Sequence, residues 1–188
     1  MDRALESMSL VLRAASFAAD KHRDQRRKGE GAPPYINHPI EVARVLVEVG
    51  GVTDPPLLAA ALLHDTIEDT DTSFAELEGA FGQEVSALVA EVTDDKRLHW
   101  RERKRLQEEH AAHRSPRAKL LKLADKICNV RDLTIAPPSH WQPMRRREYL
   151  EWAARVVAGL RGSNDALEAM FDTWHAQGLS ALDALTSP

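Results

Sequence analysis

The chain has one cysteine, Cys128, among 188 residues. No disulfide framework can form within it, and a reducing compartment is expected. Long apolar runs are missing too. The longest, Leu57 to Leu63, falls far short of the roughly 20 residues that a membrane-spanning helix needs. There is no basic excess: 25 Lys and Arg stand against 29 Asp and Glu, a net charge of −4, which argues against a general nucleic-acid binder. Alternating β-branched or aromatic runs are scarce, so strands are not expected. No glycine-rich phosphate loop is present, which removes kinase and NTPase readings. The N-terminus carries Asp2, Arg3 and Glu6, and Arg13 interrupts its apolar stretch, so it does not read as a cleaved signal peptide. A cytoplasmic protein with neither a membrane nor a nucleic-acid partner is expected. The oligomeric state is not set by these features.

Ala, Leu, Glu and Arg dominate instead, and they favour helix nearly throughout. Thr53-Asp54 before Pro55, and Ser115 before Pro116, read as helix caps with proline in the first turn. Ser73 with Glu76 reads as a capping box. Gly162 and Gly178 are expected where helices stop. Helices are predicted at about 3–21, 39–49, 55–69, 73–80, 82–92, 99–112, 116–133, 143–160 and 164–176, with a basic loop through Pro34 and another loop at Thr134–Trp141. No linker divides the chain. The expectation is one all-α domain over residues 1–188, long enough to bury a core without staples.

Three segments carry chemistry. His64-Asp65 end the apolar run, and Glu68 and Asp69 follow each at i+4, so four ionisable groups crowd one side of the predicted helix. Tyr35-Ile36-Asn37-His38-Pro39 puts His38 at a predicted N-cap. Asp125 lies among the apolar positions 120, 121, 123, 124, 127, 130 and 133, with Asn129 one turn on. Each also has a plain structural reading: a helix emerging into solvent, a turn histidine, and a salt bridge from Lys122 or Lys126. Taken together, two histidines and two aspartates make a mixed nitrogen and oxygen ligand set. It suits an octahedral divalent ion such as Mn²⁺ better than closed tetrahedral zinc. Glu68 and Asp69 could then orient or deprotonate a water for phosphate hydrolysis. Spacing alone does not bring these segments together.

The order of His38, His64-Asp65 and Asp125 resembles the HD superfamily of metal-dependent phosphohydrolases. Lys28 to Pro39, Ala59 to Asp71, Glu91 to Lys96 and Lys119 to Leu133 resemble the hydrolase domain of RelA/SpoT homologues. The whole, over roughly residues 9 to 178, resembles the small alarmone hydrolases, the MESH1-like group. Tyr-Ile-Asn-His-Pro, Ala-Leu-Leu-His-Asp-Thr-Ile-Glu-Asp-Thr and Lys-Leu-Ala-Asp-Lys-Ile-Cys-Asn-Val-Arg-Asp carry most of that likeness.

The resemblance implies a helical HD-domain bundle that hydrolyses the 3′-pyrophosphate of guanosine tetra- or pentaphosphate. It implies one Mn²⁺ held by His38, His64, Asp65 and Asp125, a catalytic pair in Glu68 and Asp69, and substrate contacts from Arg27, Lys28, Asn129, Arg131, Arg145 and Tyr149. Arg26, Arg146 and Arg147 are read instead as solvated surface. Some relatives carry a lysine at or near Trp100, where Arg101 is the nearest basic residue here, and the 29–34 loop holds one proline more than expected. Two other readings keep the site but change its use: an NADPH 2′-phosphatase, and a nucleotide-sensing protein without turnover. Cys128, Trp152, Trp174, Phe74 and Phe81 are expected in the core, and His99, His110 and His113 in solvent.

Overall fold

The computed structural model describes residues 2–29 and 31–186. Its helices are α1 (Arg3–Lys21), α2 (Asn37–Glu48), α3 (Pro55–Leu63), α4 (Thr66–Asp69), α5 (Phe74–Phe81), α6 (Gln83–Val92), α7 (Trp100–His110), α8 (Pro116–Ile135), α9 (Pro143–Ala158) and α10 (Asp165–Thr186). Among the described residues there is no strand, only an isolated antiparallel bridge between Arg26 and Pro34.

α3 is the centre. Its sequence, PPLLAAALL, is apolar on every side, which suits a helix surrounded by others. α1, α2, α6 and α8 pack against it, and α10 lies along α8. Small Ala59, Ala60 and Ala61 let these neighbours approach, while Leu57, Leu62 and Leu63 are buried and contribute about 1.5–3 kcal/mol each. The prolines that open α3 and α8 follow the predicted caps: Asp54 accepts from the Leu57 amide and Ser115 from the Ala118 amide.

Several boundaries differ from expectation for physical reasons. α2 starts at Asn37, so His38 lies inside the first turn rather than at the N-cap, which is Ile36. The predicted 55–69 helix breaks at His64-Asp65. There the side chains of His64 and Thr66 take up the carbonyls of Ala61 and Leu63, each at 2.7 Å. Ser73 caps α5 through the Glu76 amide, but the Glu76 carboxylate pairs with Lys21 at 3.0 Å. Gly178 stops nothing; α10 runs through it to Thr186. A Cβ there would stand 2.8 Å from Thr134 Oγ1 and 3.0 Å from Leu150 Cδ1, so glycine permits the close packing of α10. Phe74 is exposed, not core.

The basic loop between α1 and α2 is folded back on itself. The Arg27 amide donates to Pro33 O at 2.9 Å and the Tyr35 amide to Gln25 O at 3.0 Å. Gly29 rests against the end of α8, where a Cβ would meet Ala136 O at 2.6 Å.

Candidate active site

The first turn of α2, the break after α3 and the middle of α8 bring the predicted ligands together. Ligand atoms of His38, His64 and Asp65 lie within 4.8 Å of one another. Asp125 completes the set: its Oδ1 is 3.2 Å from His38 Nε2 and 3.8 Å from His64 Nε2. Asp65 Oδ2 mirrors it, at 3.1 Å from His64 Nε2 and 3.8 Å from His38 Nε2.

The hydrogen bonding of His64 tests whether a cation belongs here. Its Nδ1 is 2.7 Å from Ala61 O, and a carbonyl only accepts, so Nδ1 carries the proton. In the neutral ring Nε2 then aims a lone pair at two carboxylates. That atom is buried and makes no hydrogen bond of ordinary geometry. Such a cluster of acceptors needs a positive charge between them. The donor set therefore fits a divalent ion. Without one, the ring itself takes a proton: burial opposes its charge, but Asp65 and Asp125 outweigh burial and push its pKa up to about 10. Burial keeps His38 below its ordinary value. Burial would raise both aspartates, yet His64 holds Asp65 low, and Lys126 with the imidazoles does so for Asp125.

Of the two lysines expected near Asp125, Lys126 is its partner, with Nζ 3.1 Å from Oδ2. Buried Lys122 instead donates to Val92 O at 3.0 Å. Glu68 and Asp69 do not continue one helical face above His64 and Asp65, because the helix breaks between them. Glu68 turns to the segment after α6 and accepts from the Asp94 amide at 2.8 Å. Burial pushes its pKa up to about 7, against the opposing pull of that amide and of Lys122. Asp69 takes Lys96 Nζ at 2.5 Å and lines a cavity.

That cavity, of about 580 Å³, opens beside His38. The size suits a nucleotide-sized ligand. Arg27, Lys28, Asn129, Arg131 and Tyr149 all line it. Arg145 is not among its lining residues; it stacks over Trp141, which is, at 4.3 Å. Arg146 donates to Trp141 O and Arg147 pairs with Asp183; neither lines the cavity, but both are half-buried and tied to neighbours rather than freely solvated. Arg26, read as surface, does line the cavity. Exposed Trp100 lies outside it, in a groove with Arg101 and Lys104. Arg101 covers Trp100, whereas Lys104 stands 5.4 Å from the ring of Tyr149, which lines the cavity, and 4.6 Å from that of Trp152.

Three residues here, Tyr35, Glu41 and Asp132, escaped the sequence reading. Tyr35 Oη donates to Asp65 Oδ2 at 2.6 Å. Glu41 holds Arg131, and Asp132 takes both Arg27 at 2.9 Å and Arg131 at 3.1 Å. Buried His22 packs on Tyr35 with ring centroids 4.8 Å apart. Spacing carried some of the signal: Tyr35 and Glu41 flank His38 at i−3 and i+3, and Asp132 continues the Asp125–Asn129 flank at i+7. Cys128 is buried, and burial pushes its thiol pKa up, so it has no nucleophilic character.

Comparisons with known proteins place the chain in a family. A family model described as an HD domain matches residues 14–163. The guanosine-3′,5′-bis(diphosphate) 3′-pyrophosphohydrolase MESH1 of Xenopus tropicalis is 57% identical over 164 residues, covering 87% of this chain and 92% of that protein. The MESH1 of Homo sapiens is 60% identical over 158 residues, covering 84% and 88%. A solved structure described as a metazoan ortholog of SpoT that hydrolyzes ppGpp superposes with a TM-score of 0.87 at 50% identity, over 89% of this chain and 94% of that one. This chain belongs to the HD-domain family and, within it, to the MESH1-like small alarmone hydrolases.

Proposed function

We propose that this protein hydrolyses the 3′-pyrophosphate of guanosine 3′,5′-bis(diphosphate) and its pentaphosphate relative, giving GDP or GTP and pyrophosphate. The observation that carries the reading is the convergence of His38, His64, Asp65 and Asp125 beside a cavity of nucleotide size lined in part by Arg27, Lys28 and Arg131. These four residues would hold one divalent ion, and Mn²⁺ suits their nitrogen and oxygen donors. Such an ion, when bound, polarises a phosphoryl oxygen and lowers the pKa of a water.

The chain's own groups do the rest. Glu68, with a pKa pushed up to about 7, is poised to accept the water's proton near neutral pH. Asp69, fixed by Lys96, orients the water from the cavity wall. Arg27 and Lys28 receive phosphate charge at one rim, while Arg145 and Tyr149 serve the other. Asn129 and Arg131 face the nucleotide from α8. Arg26 and Lys28, which have no carboxylate partner among the described residues of this lining, would draw a polyanion to a protein that is acidic overall. Residues 1–188 act as one catalytic domain, and the lone buried thiol suits the cytoplasm.

Purified protein with Mn²⁺ is expected to release one pyrophosphate per guanosine tetraphosphate, and none after chelation. Pyrophosphate and orthophosphate are to be quantified separately across a nucleotide panel. Orthophosphate release from NADPH at a higher rate would overturn the substrate. Tight nucleotide binding without turnover would make the protein a sensor.

A further inference from the structure

The cationic side of the cavity is wired to the ion ligands. Arg27 Nη2 donates to Asn129 Oδ1 at 2.9 Å, and Asn129 Nδ2 donates to Asp125 Oδ1 at 2.6 Å. A terminal amide can turn either way. The arginine fixes it by occupying the oxygen, which leaves only the nitrogen to face Asp125. The Asp125 oxygen so held is the one 3.2 Å from His38 Nε2. A second path reaches the other carboxylate. Tyr35 Oη donates to Asp65 Oδ2 at 2.6 Å, and that oxygen is the one 3.1 Å from His64 Nε2. The Tyr35 ring packs against His22 and lies 5.5 Å from the Arg27 guanidinium carbon. Arg27 is itself tied to Asp132 at 2.9 Å.

We propose that Arg27 with Asn129, and Tyr35 beside them, are positioning residues that aim the Asp125 and Asp65 carboxylates at the ion. The arginine expected to meet nucleotide phosphate thereby also sets ion affinity. The proposal rests on the ion site described under the proposed function. Partners of ligating carboxylates typically change metal affinity 10- to 100-fold when removed. By reciprocity, a nucleotide that draws on Arg27 changes ion affinity by the same factor by which the ion changes nucleotide affinity.

The sign of the effect separates positioning from plain charge. Removing a cation near a divalent ion should tighten ion binding by Coulomb's law. Removing an arm should weaken it. Arg26 supplies the control: it is a cation lining the same cavity whose hydrogen bonds go to the carbonyls of Arg23 and Gln25.

The experiment titrates Mn²⁺ into the full-length, metal-free protein without nucleotide, following free Mn²⁺ by electron paramagnetic resonance, with thermal melts to confirm folding. Arg27→Ala, Asn129→Ala and Tyr35→Phe are each expected to weaken Mn²⁺ binding about 10- to 100-fold. Arg26→Ala is expected to leave it unchanged or slightly tighter. Arg27→Lys, which keeps charge but loses the planar fork, is expected to weaken it as well, and serves should an alanine variant fail to fold. Mn²⁺ affinity in Arg27→Ala and Arg27→Lys equal to or tighter than wild type overturns the proposal. So does an affinity within about twofold of wild type in Tyr35→Phe. Wild-type protein that takes up no Mn²⁺ overturns the ion site as well, whereas wild-type uptake with unchanged variants overturns the arms alone.

Discussion

At the ion end of the site, His38, His64 and Asp125 are buried, and the core helices α2, α3 and α8 set their positions. At the proposed nucleotide end, Lys28 and Arg145 stand exposed, one on the folded-back loop and one on α9. The first group is costly where it lies and must be paired with something. The second costs nothing in water, and nothing in its packing says what it is for. Polar groups with no reason to be inside are therefore the legible part of this site. Cations on its rim are separated only by geometry. Among three successive arginines, Arg145 stacks on an aromatic that lines the cavity, Arg146 braces a carbonyl, and Arg147 pairs with α10.

Substitution at the buried end should give the largest effect. His64→Ala is expected to lose bound ion, and turnover with it, by roughly a thousandfold or more, the several kcal/mol such an ion contributes. Elemental analysis beside an activity assay checks this, and retained ion would remove His64 from the ligands. Glu68→Gln comes next. Ion content should hold while kcat falls about 10²- to 10⁴-fold.

Glu68 must be ionised to act as a base. Wild-type kcat is therefore expected to rise with pH through the ionisation of Glu68, which burial raises and a bound cation would lower again, and that limb should vanish in the variant. Stability moves the other way. The folded-state pKa of Glu68 lies above the ordinary 4.5, so its contribution is full below 4.5 and lost as pH rises through about 7. In the metal-free protein, Glu68→Gln should therefore gain stability relative to wild type between pH 5 and 8 in denaturant titrations.

The smallest effects belong to the exposed end. Arg147→Ala should change KM by less than about twofold and stability by less than about 1 kcal/mol, while Arg145→Ala raises KM about tenfold. Equal KM changes in the two would erase the distinction between a rim cation and a surface one.

The helical architecture was readable because α3 is apolar all round and its caps are local chemistry. The break at His64-Asp65 was not. It depends on side chains replacing the helical ladder, and unbroken periodicity extends through it. Gly178 misled for the converse reason. A glycine late in a helix reads as a stop, but this one answers to Thr134 and Leu150, far away in sequence. The residues proposed as ligands could be picked out by type and order, whereas Tyr35, Glu41 and Asp132 show their contacts only between separate elements.

Distant segments supply the four proposed ligands: residue 38 on α2, residues 64 and 65 beyond α3, and residue 125 on α8. No short stretch of the unfolded chain can offer them together. The site comes into being only when α2, α3 and α8 have docked, so an ion held by these residues would be captured late in folding, after the non-local contacts have closed. A half-folded chain would present at most the adjacent His64-Asp65 pair, and the ion would bind the finished core in preference to its precursors.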